Sequence, residues 1–515
     1  MNKYLSYLTV FVSSFCLMVI ELVAGRIIAP YVGVSIYTWT SIIGVVMLGI
    51  TLGNWVGGRM ADRYPRSSAL GGVFLLAAAF SAVIVFISNP LWSKAITASM
   101  SLSAVVFWFS LITFFPVAFF LSFITPIVIR LRMHDVEHSG RTVGNVYGWS
   151  SAGSILGTFL TGFWLVASFD THKIVWAVFV LLAFFSFYYL FKGGIKRKLF
   201  VGLILGALPV GVFGFWQDSV CTFNSQYFCI RIGEEERSGV MGYSLILDAL
   251  DHGYLLPQDV DPFGYDTFRL FATLVNYNFL DPSEDKFNVL VIGGGAYILP
   301  RYILDTYPNA EITVFEIDPK VTEINYKELG LERNDRLQAM HGDGRFLLNK
   351  LSSDVKYDYI FIDAFSDFLV PHHLATREFV SIAKSHLSEN GIYFMHMIDS
   401  YEHGQFLSSN LLTVDSVFEN TYFFPMSNAW EQINRSTLVV VGTDAELDNN
   451  KWSLAYPVND PLWDKASEAS RNWLKAYFSF SDLRLKEYAK ESEGVVLTDS
   501  YAPVENMLAP LFIEQ

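Results

Sequence analysis

Residues 287–367 constrain this chain most, because an apolar run that stops at glycines and then repeats as strand and acidic tip has few ways to fold. Asn288-Val-Leu-Val-Ile292 ends at Gly293-Gly294-Gly295, and a second run, Glu311-Ile-Thr-Val-Phe315, ends at Glu316-Ile-Asp318. Glu316 follows Gly295 by 21 positions, close to the spacing of about 20 between a glycine turn and a ribose-binding acid. His341-Gly-Asp343-Gly344-Arg-Phe346 and Tyr357-Asp-Tyr-Ile-Phe-Ile-Asp363-Ala-Phe-Ser-Asp367 continue the pattern. Glycine lets a ligand approach the first turn closely, and a carboxylate at the second tip accepts both hydroxyl protons of a ribose. Open parallel sheets hold ligands beyond the carboxyl ends of their strands, so Gly293, Gly294, Gly295, Glu316, Asp343, Gly344 and Asp363 are predicted to converge on one crevice. The turn reads Gly-Gly-Gly-Ala-Tyr-Ile instead of G-x-G-x-x-G. That favours a nucleoside sulfonium such as S-adenosylmethionine over a ligand with a pyrophosphate.

Charge divides the chain in two. Residues 1–216 hold 14 Lys and Arg against 5 Asp and Glu, whereas the rest holds 22 against 45. The acidic part is a soluble surface that disfavours nucleic acid. The first part contains seven apolar stretches long enough, or nearly so, to span a bilayer: 5–28, 36–57, 68–88, 103–129, 143–167, 173–192 and 199–216. Arg59, Arg63 and Arg66, then Arg130, Arg132 and Arg141, then Lys192, Lys196, Arg197 and Lys198 fill alternate loops, against Lys94 and Lys173 in the others. The amino terminus is therefore expected in the cytoplasm. Seven crossings would put the acidic part outside, where Cys221 and Cys229 would meet oxidising conditions. Substrate supply argues for a cytoplasmic acidic part, which is the expectation adopted, with 199–216 and its Pro209 not crossing. Glu21 and Arg26 are read either as a polar path or as a pair at the end of the first helix. Gly144, Gly148, Gly153 and Gly157 form a small-residue packing stripe.

From Cys229 to Phe394 the chain resembles the spermidine synthase (polyamine aminopropyltransferase) family, on the glycine turn and on Val-Phe-Glu-Ile-Asp-Pro, His-Gly-Asp-Gly-Arg-Phe-Leu and Tyr-Asp-Tyr-Ile-Phe-Ile-Asp. The whole chain resembles its bacterial membrane-fused branch. That resemblance implies a multi-pass helical membrane domain (1–216), a small β subdomain (217–280) and a Rossmann-like catalytic domain (281–515), in the bacterial inner membrane. It implies that Glu316 holds the ribose, Asp343 the adenine amino group, and that Asp363 is the catalytic carboxylate. Asp248, His252, Tyr265 and Asp367 are candidates for the acceptor side. The substrate would be S-adenosylmethionine or its decarboxylated form, with no tightly bound cofactor and no metal, and the other partners a polyamine and the lipid bilayer. Whether the protein forms a homo-oligomer stays open.

Departures from the family pattern are equally specific. Ala296 stands where these enzymes carry the acid that faces the donor's amino end, Ser366 replaces the second acid of D-x-x-D, and Asp261-Pro-Phe-Gly-Tyr265-Asp-Thr267 lacks a His and a Glu. Each missing carboxylate removes an attraction of a few kcal/mol, on the order of 332/(εr), for a dicationic amine. Cleavage of the sulfonium's bond to its aminopropyl or aminobutyryl chain, with release of methylthioadenosine, is the leading expectation. Methyl transfer and ligand sensing by a transporter are the alternatives. Thr498-Asp499-Ser-Tyr501-Ala-Pro503-Val-Glu505 resembles a carboxyl-terminal motif of fused members, with no legible role.

Overall fold

The computed structural model describes residues 2–87, 102–133, 139–194, 219–237, 239–257, 260–278, 284–365, 370–402, 404–426, 435–457, 459–465, 476–481 and 483–509. The chain divides into two compact units, Met1–Cys229 and Ile230–Gln515.

In the first unit, six helices among the described residues are long and apolar enough to cross a membrane by length and composition: Lys3–Val32, Ile36–Arg63, Ser67–Phe86, Phe115–Arg132, Ser139–Ser168 and Thr171–Lys192. The stretch expected as one segment at 103–129 resolves into the shorter helix Leu102–Thr113 and a helical run that starts afresh at Phe115, with Pro116 in its first turn, where the missing N–H costs no bond. Segment 199–216 lies outside the described residues.

The glycine stripe is half used. A Cβ on Gly153 would fall 2.2 Å from the Phe11 carbonyl oxygen and one on Gly157 2.7 Å from that of Phe15, whereas Gly144 and Gly148 face open space. Close backbone approach between Lys3–Val32 and Ser139–Leu160 therefore rests on two of the four glycines.

Arg59, Arg63, Arg130, Arg132, Arg141 and Lys192 lie toward one end of this bundle, where Arg130 pairs with Asp62 at 3.3 Å. At the far end of the first helix, Arg26 donates to the carbonyls of Ser225 and Tyr227, and Asn224 donates to Asp170 at 3.0 Å. Backbone carbonyls thus supply partners for Arg26 that the expected Glu21 pairing did not foresee. Cys221 and Cys229 form a disulfide around this segment, which also contains the short strand β1 (Phe223–Asn224).

The second unit opens with antiparallel strands β2 (Cys229–Arg237), β3 (Val240–Leu247) and β4 (Leu250–Leu255). A larger sheet follows, containing β5 (Asn288–Ile292), β6 (Glu311–Glu316), β7 (Leu337–His341), β8 (Tyr357–Ile362), β9 (Leu387–Asp399), β10 (Asn420–Pro425), β11 (Ser436–Thr443) and β12 (Phe478–Ser479), in the order β12-β10-β11-β9-β8-β5-β6-β7. Strands β7 to β9 through β5 are parallel, and the remainder antiparallel. Val289 to Ile292 and Tyr359 to Ile362 are buried on both faces, which is why these strands read as continuous apolar runs instead of alternating. Phe271, from helix Asp266–Asn278, packs on Tyr359, Phe361 and Phe394 with ring centroids 5.3–5.6 Å apart. The chain runs outward from β5 to β7 and then returns to place β8 on the other side of β5. That reversal opens a crevice at the carboxyl ends of β5 and β8.

Candidate active site

Close contact, more than flexibility, explains the glycine turn after β5. Gly293 has φ 100°, and a Cβ there would come within 2.2 Å of the Asp363 carbonyl oxygen; Gly295, at φ 49°, would meet the His252 carbonyl at 2.8 Å. The Gly294 amide donates to Glu316 Oε2 at 2.7 Å and the Asp318 amide to Oε1 at 2.9 Å. Glu316 ties the first two strand tips together, and each oxygen retains a lone pair for a hydroxyl donor. Burial pushes its carboxyl up to about 7, against those amide bonds, which favour the ionised form. Tyr297, buried at φ 55°, lies against Gly294 and bonds Thr322 at 2.7 Å, and His341 bonds the same hydroxyl at 3.1 Å. The sequence reading did not single out Tyr297.

Asp343 caps helix Gly344–Lys350, accepting from the Phe346 amide at 2.8 Å, while its other oxygen meets His373 Nε2 at 2.7 Å. Gly344 is required by β5, since a Cβ there would lie 2.4 Å from Ile292 Cγ2. The next residue, Arg345, makes a bidentate pair with Asp499 at 2.6 Å per bond and donates to the His373 carbonyl at 3.1 Å. Thr376 adds a third bond to Asp499, and the Arg345 guanidinium holds the Asp499 carboxyl down at about 2. The carboxyl-terminal motif, silent in the sequence, thus clamps the segment that carries Asp343.

Asp363 follows the last residue of β8. Its Oδ1 lies 2.6 Å from His396 Nδ1, and both side chains are largely buried. His396 comes from β9, whose register pairs Ile362 with Met395, so the next step along both strands sets Asp363 beside His396. His252, on β4, is enclosed nearby: burial lowers its imidazole to about 4, outweighing the opposing pull of Asp363 and Asp251. The Nε2 atoms of His252 and His396 are buried with no hydrogen-bond partner among the described residues. Lysine and arginine are absent from the pairings of Glu316 and Asp363 that the described residues make.

Ala296 packs closely on β4: a Cβ on Gly253 would fall 2.3 Å from the Ala296 Cβ, so residue 253 has to be glycine. The other acceptor-side candidates divide. Asp248 is a buried turn residue at φ 51° whose carbonyl accepts from Arg231, and the Tyr265 carbonyl accepts from the Phe268 amide. Asp367 lies outside the described residues. Asp261 and Asp266 are committed to Arg269, which also bonds Asp460.

Residues 277–436 match the spermine/spermidine synthase domain family. The polyamine aminopropyltransferase of Vibrio vulnificus is 28% identical over 163 residues, 32% of this chain and 51% of that one. The eEF1A lysine and N-terminal methyltransferase of Mus musculus is 26% identical over 22% of this chain and 18% of that one. A probable spermidine synthase from Corynebacterium glutamicum superposes with a TM-score of 0.45 at 18% identity, covering 56% of this chain and 98% of the other. The chain spans about half the length of the first polyamine aminopropyltransferases it matches. Over residues 277–436, the chain is similar to the spermine/spermidine synthase domain family.

Proposed function

We propose that this is a membrane-bound transferase that cleaves the C–S bond between the sulfonium and the aminopropyl or aminobutyryl chain of S-adenosylmethionine or its decarboxylated form, releasing methylthioadenosine. The observation that carries the reading is Asp363 beside a glycine turn that is tied to Glu316. Glu316 is the ribose acceptor, Gly293 to Gly295 and Gly344 admit the nucleoside, and Asp343 and His373 border the adenine side. A sulfonium is an activated leaving group, so alignment and one proton acceptor suffice. Ala296 against Gly253 leaves no acid to repel the carboxylate of intact S-adenosylmethionine. Full-length protein is incubated with either donor, with and without putrescine, and the products are read by mass spectrometry. Methylthioadenosine from the intact donor is expected; S-adenosylhomocysteine as sole product would establish methyl transfer, the reading favoured by the similarity to the mouse methyltransferase.

We infer further that the second unit faces an oxidising compartment, reversing the cytoplasmic expectation. Positive-inside placement puts the end bearing Arg59, Arg63, Arg130, Arg132, Arg141 and Lys192 in the cytoplasm. Residues 224–227 bind Arg26 and Asp170 at the opposite end, within a disulfide-closed loop, and disulfides persist where thiols are not kept reduced. Membrane-impermeant thiol probes on intact cells should label Cys221 and Cys229 only after an external reductant is added. Labelling that needs cell lysis would return the unit to the cytoplasm.

A further inference from the structure

The Asp363–His396 contact is the least expected feature of the crevice, because nothing in a carboxylate-only mechanism calls for an imidazole there. The geometry is that of a base and its orienting acid. His396 Nδ1 is 2.6 Å from Asp363 Oδ1, so in the neutral ring the proton sits on Nδ1, which faces an acceptor, and Nε2 keeps its lone pair. The ring is held on a second side by Phe365, edge-to-face at 4.9 Å. Nε2 makes no hydrogen bond among the described residues although it is buried. A polar atom left in that state is costly to keep unless a ligand completes it. Asp363, Asp251 and His396 act on the neighbouring His252, which burial keeps neutral, and no lysine or arginine pairs with Asp363 among the described residues.

We propose that His396 is the catalytic base of this site, accepting through Nε2 the proton of an amine nucleophile while Asp363 holds its Nδ1–H. This deepens the C–S cleavage reading and rests on it. An amine reaches the site as an ammonium ion, whose nitrogen has no free electron pair. His396 Nε2 takes one proton and becomes imidazolium, stabilised by Asp363. The freed nitrogen pair forms a C–N bond at the methylene attached to the sulfonium as the C–S bond breaks, and the C–S pair goes to sulfur, which departs as the neutral thioether methylthioadenosine. The secondary ammonium product carries the positive charge, and His396 returns its proton to solvent. The nucleophile is thereby assigned to the amines, since a carboxylate attacking from within the donor has no proton to give up.

Two substitutions separate a base from a positioning group. His396→Asn keeps an N–H for Asp363 but has no second nitrogen, whereas His396→Ala loses both. With putrescine as the amine probe, kcat is expected to fall about 10²-fold or more in both variants, with the KM for the donor little changed. An Asn variant within about threefold of wild type, far short of the usual ~10²–10⁴-fold general-base effect, would reduce His396 to positioning, and amine-independent methylthioadenosine release at an unchanged rate in both variants would overturn the proposal. Nitrogen-15 spectra of histidine-labelled full-length protein give an answer independent of turnover: neutral His396 should carry its proton on Nδ1, and a proton on Nε2 would overturn the dyad. Failure of wild-type protein to bind or release methylthioadenosine would instead sink the C–S cleavage reading, with the spectra still deciding the dyad.

Discussion

Two groups of carboxylates in the second unit have opposite surroundings. Asp261, Asp266 and Asp460 converge on Arg269, and the group is neutralised internally except for its excess of acid. Glu316 and Asp363 converge on the glycine turn, and the partners they have are backbone amides and an imidazole. The first arrangement spends its charge on holding helix Asp266–Asn278 and the 460 region together. The second keeps carboxylate capacity for something that arrives from outside. The lesson is that a buried acid marks a site when its counter-charge is missing, and marks scaffold when an arginine is present.

The sharpest attempt to break this contrast is Arg269→Met. It strands Asp261 and Asp460, both nearly inaccessible, and breaking such a buried group costs about 3–5 kcal/mol. A large drop in the unfolding midpoint of detergent-solubilised protein is expected; an unchanged midpoint would mean that the group is not structural. Glu316→Ala comes next. Loss of two charge-assisted bonds to a ribose, each about 1.5–3 kcal/mol, lowers methylthioadenosine affinity about a hundredfold or more, and calorimetry with unchanged affinity removes Glu316 from the site.

A smaller effect follows from pH. The folded carboxyl of Glu316 is raised from 4.5 to about 7, so its contribution to stability is greatest below 4.5 and is lost as pH rises through about 7. Ribose hydroxyls favour the ionised form, so binding releases a proton and affinity should rise about tenfold from pH 6 to pH 8. A flat profile contradicts this. The smallest effect is at Asp499, whose carboxyl is depressed from 3.8 to about 2. Its stabilisation is present above 3.8 and lost as pH falls through about 2, and because the aspartate is half exposed, Asp499→Asn should cost no more than about 1 kcal/mol. A midpoint shift larger than that of Arg269→Met would reverse the ranking.

Local signals carried part of this. In a parallel sheet each strand presents its carboxyl end to the same edge, so the order Gly293–Gly295, Glu316, Asp343, Asp363 was legible before any contact was known. His396 was not, because Tyr393-Phe-Met-His-Met397 gives one histidine in an apolar strand, and only the Ile362–Met395 register brings it to Asp363. The close contact between Ala296 and Gly253 was hidden for a similar cause, because Gly253 lies 43 residues away on the smaller sheet. The buried, positive-φ turn at Asp248 was not legible either, because in sequence such a residue looks like any exposed polar tip. The Arg269 group was half visible, with Asp261 and Asp266 on the same short stretch and Asp460 191 residues away. In the first unit, the apolar lengths were readable, but which glycines touch a neighbour depended on helix rotation.

The contrast between the two acidic groups is tested most directly by Asp363→Asn and Asp261→Asn assayed side by side for methylthioadenosine release and for unfolding midpoint. Asp363→Asn should lose about 10²–10⁴-fold in rate with its midpoint retained, whereas Asp261→Asn should lose stability and keep its rate per folded molecule. Full activity in Asp363→Asn, or a rate loss in folded Asp261→Asn as large as that of Asp363→Asn, would contradict the account.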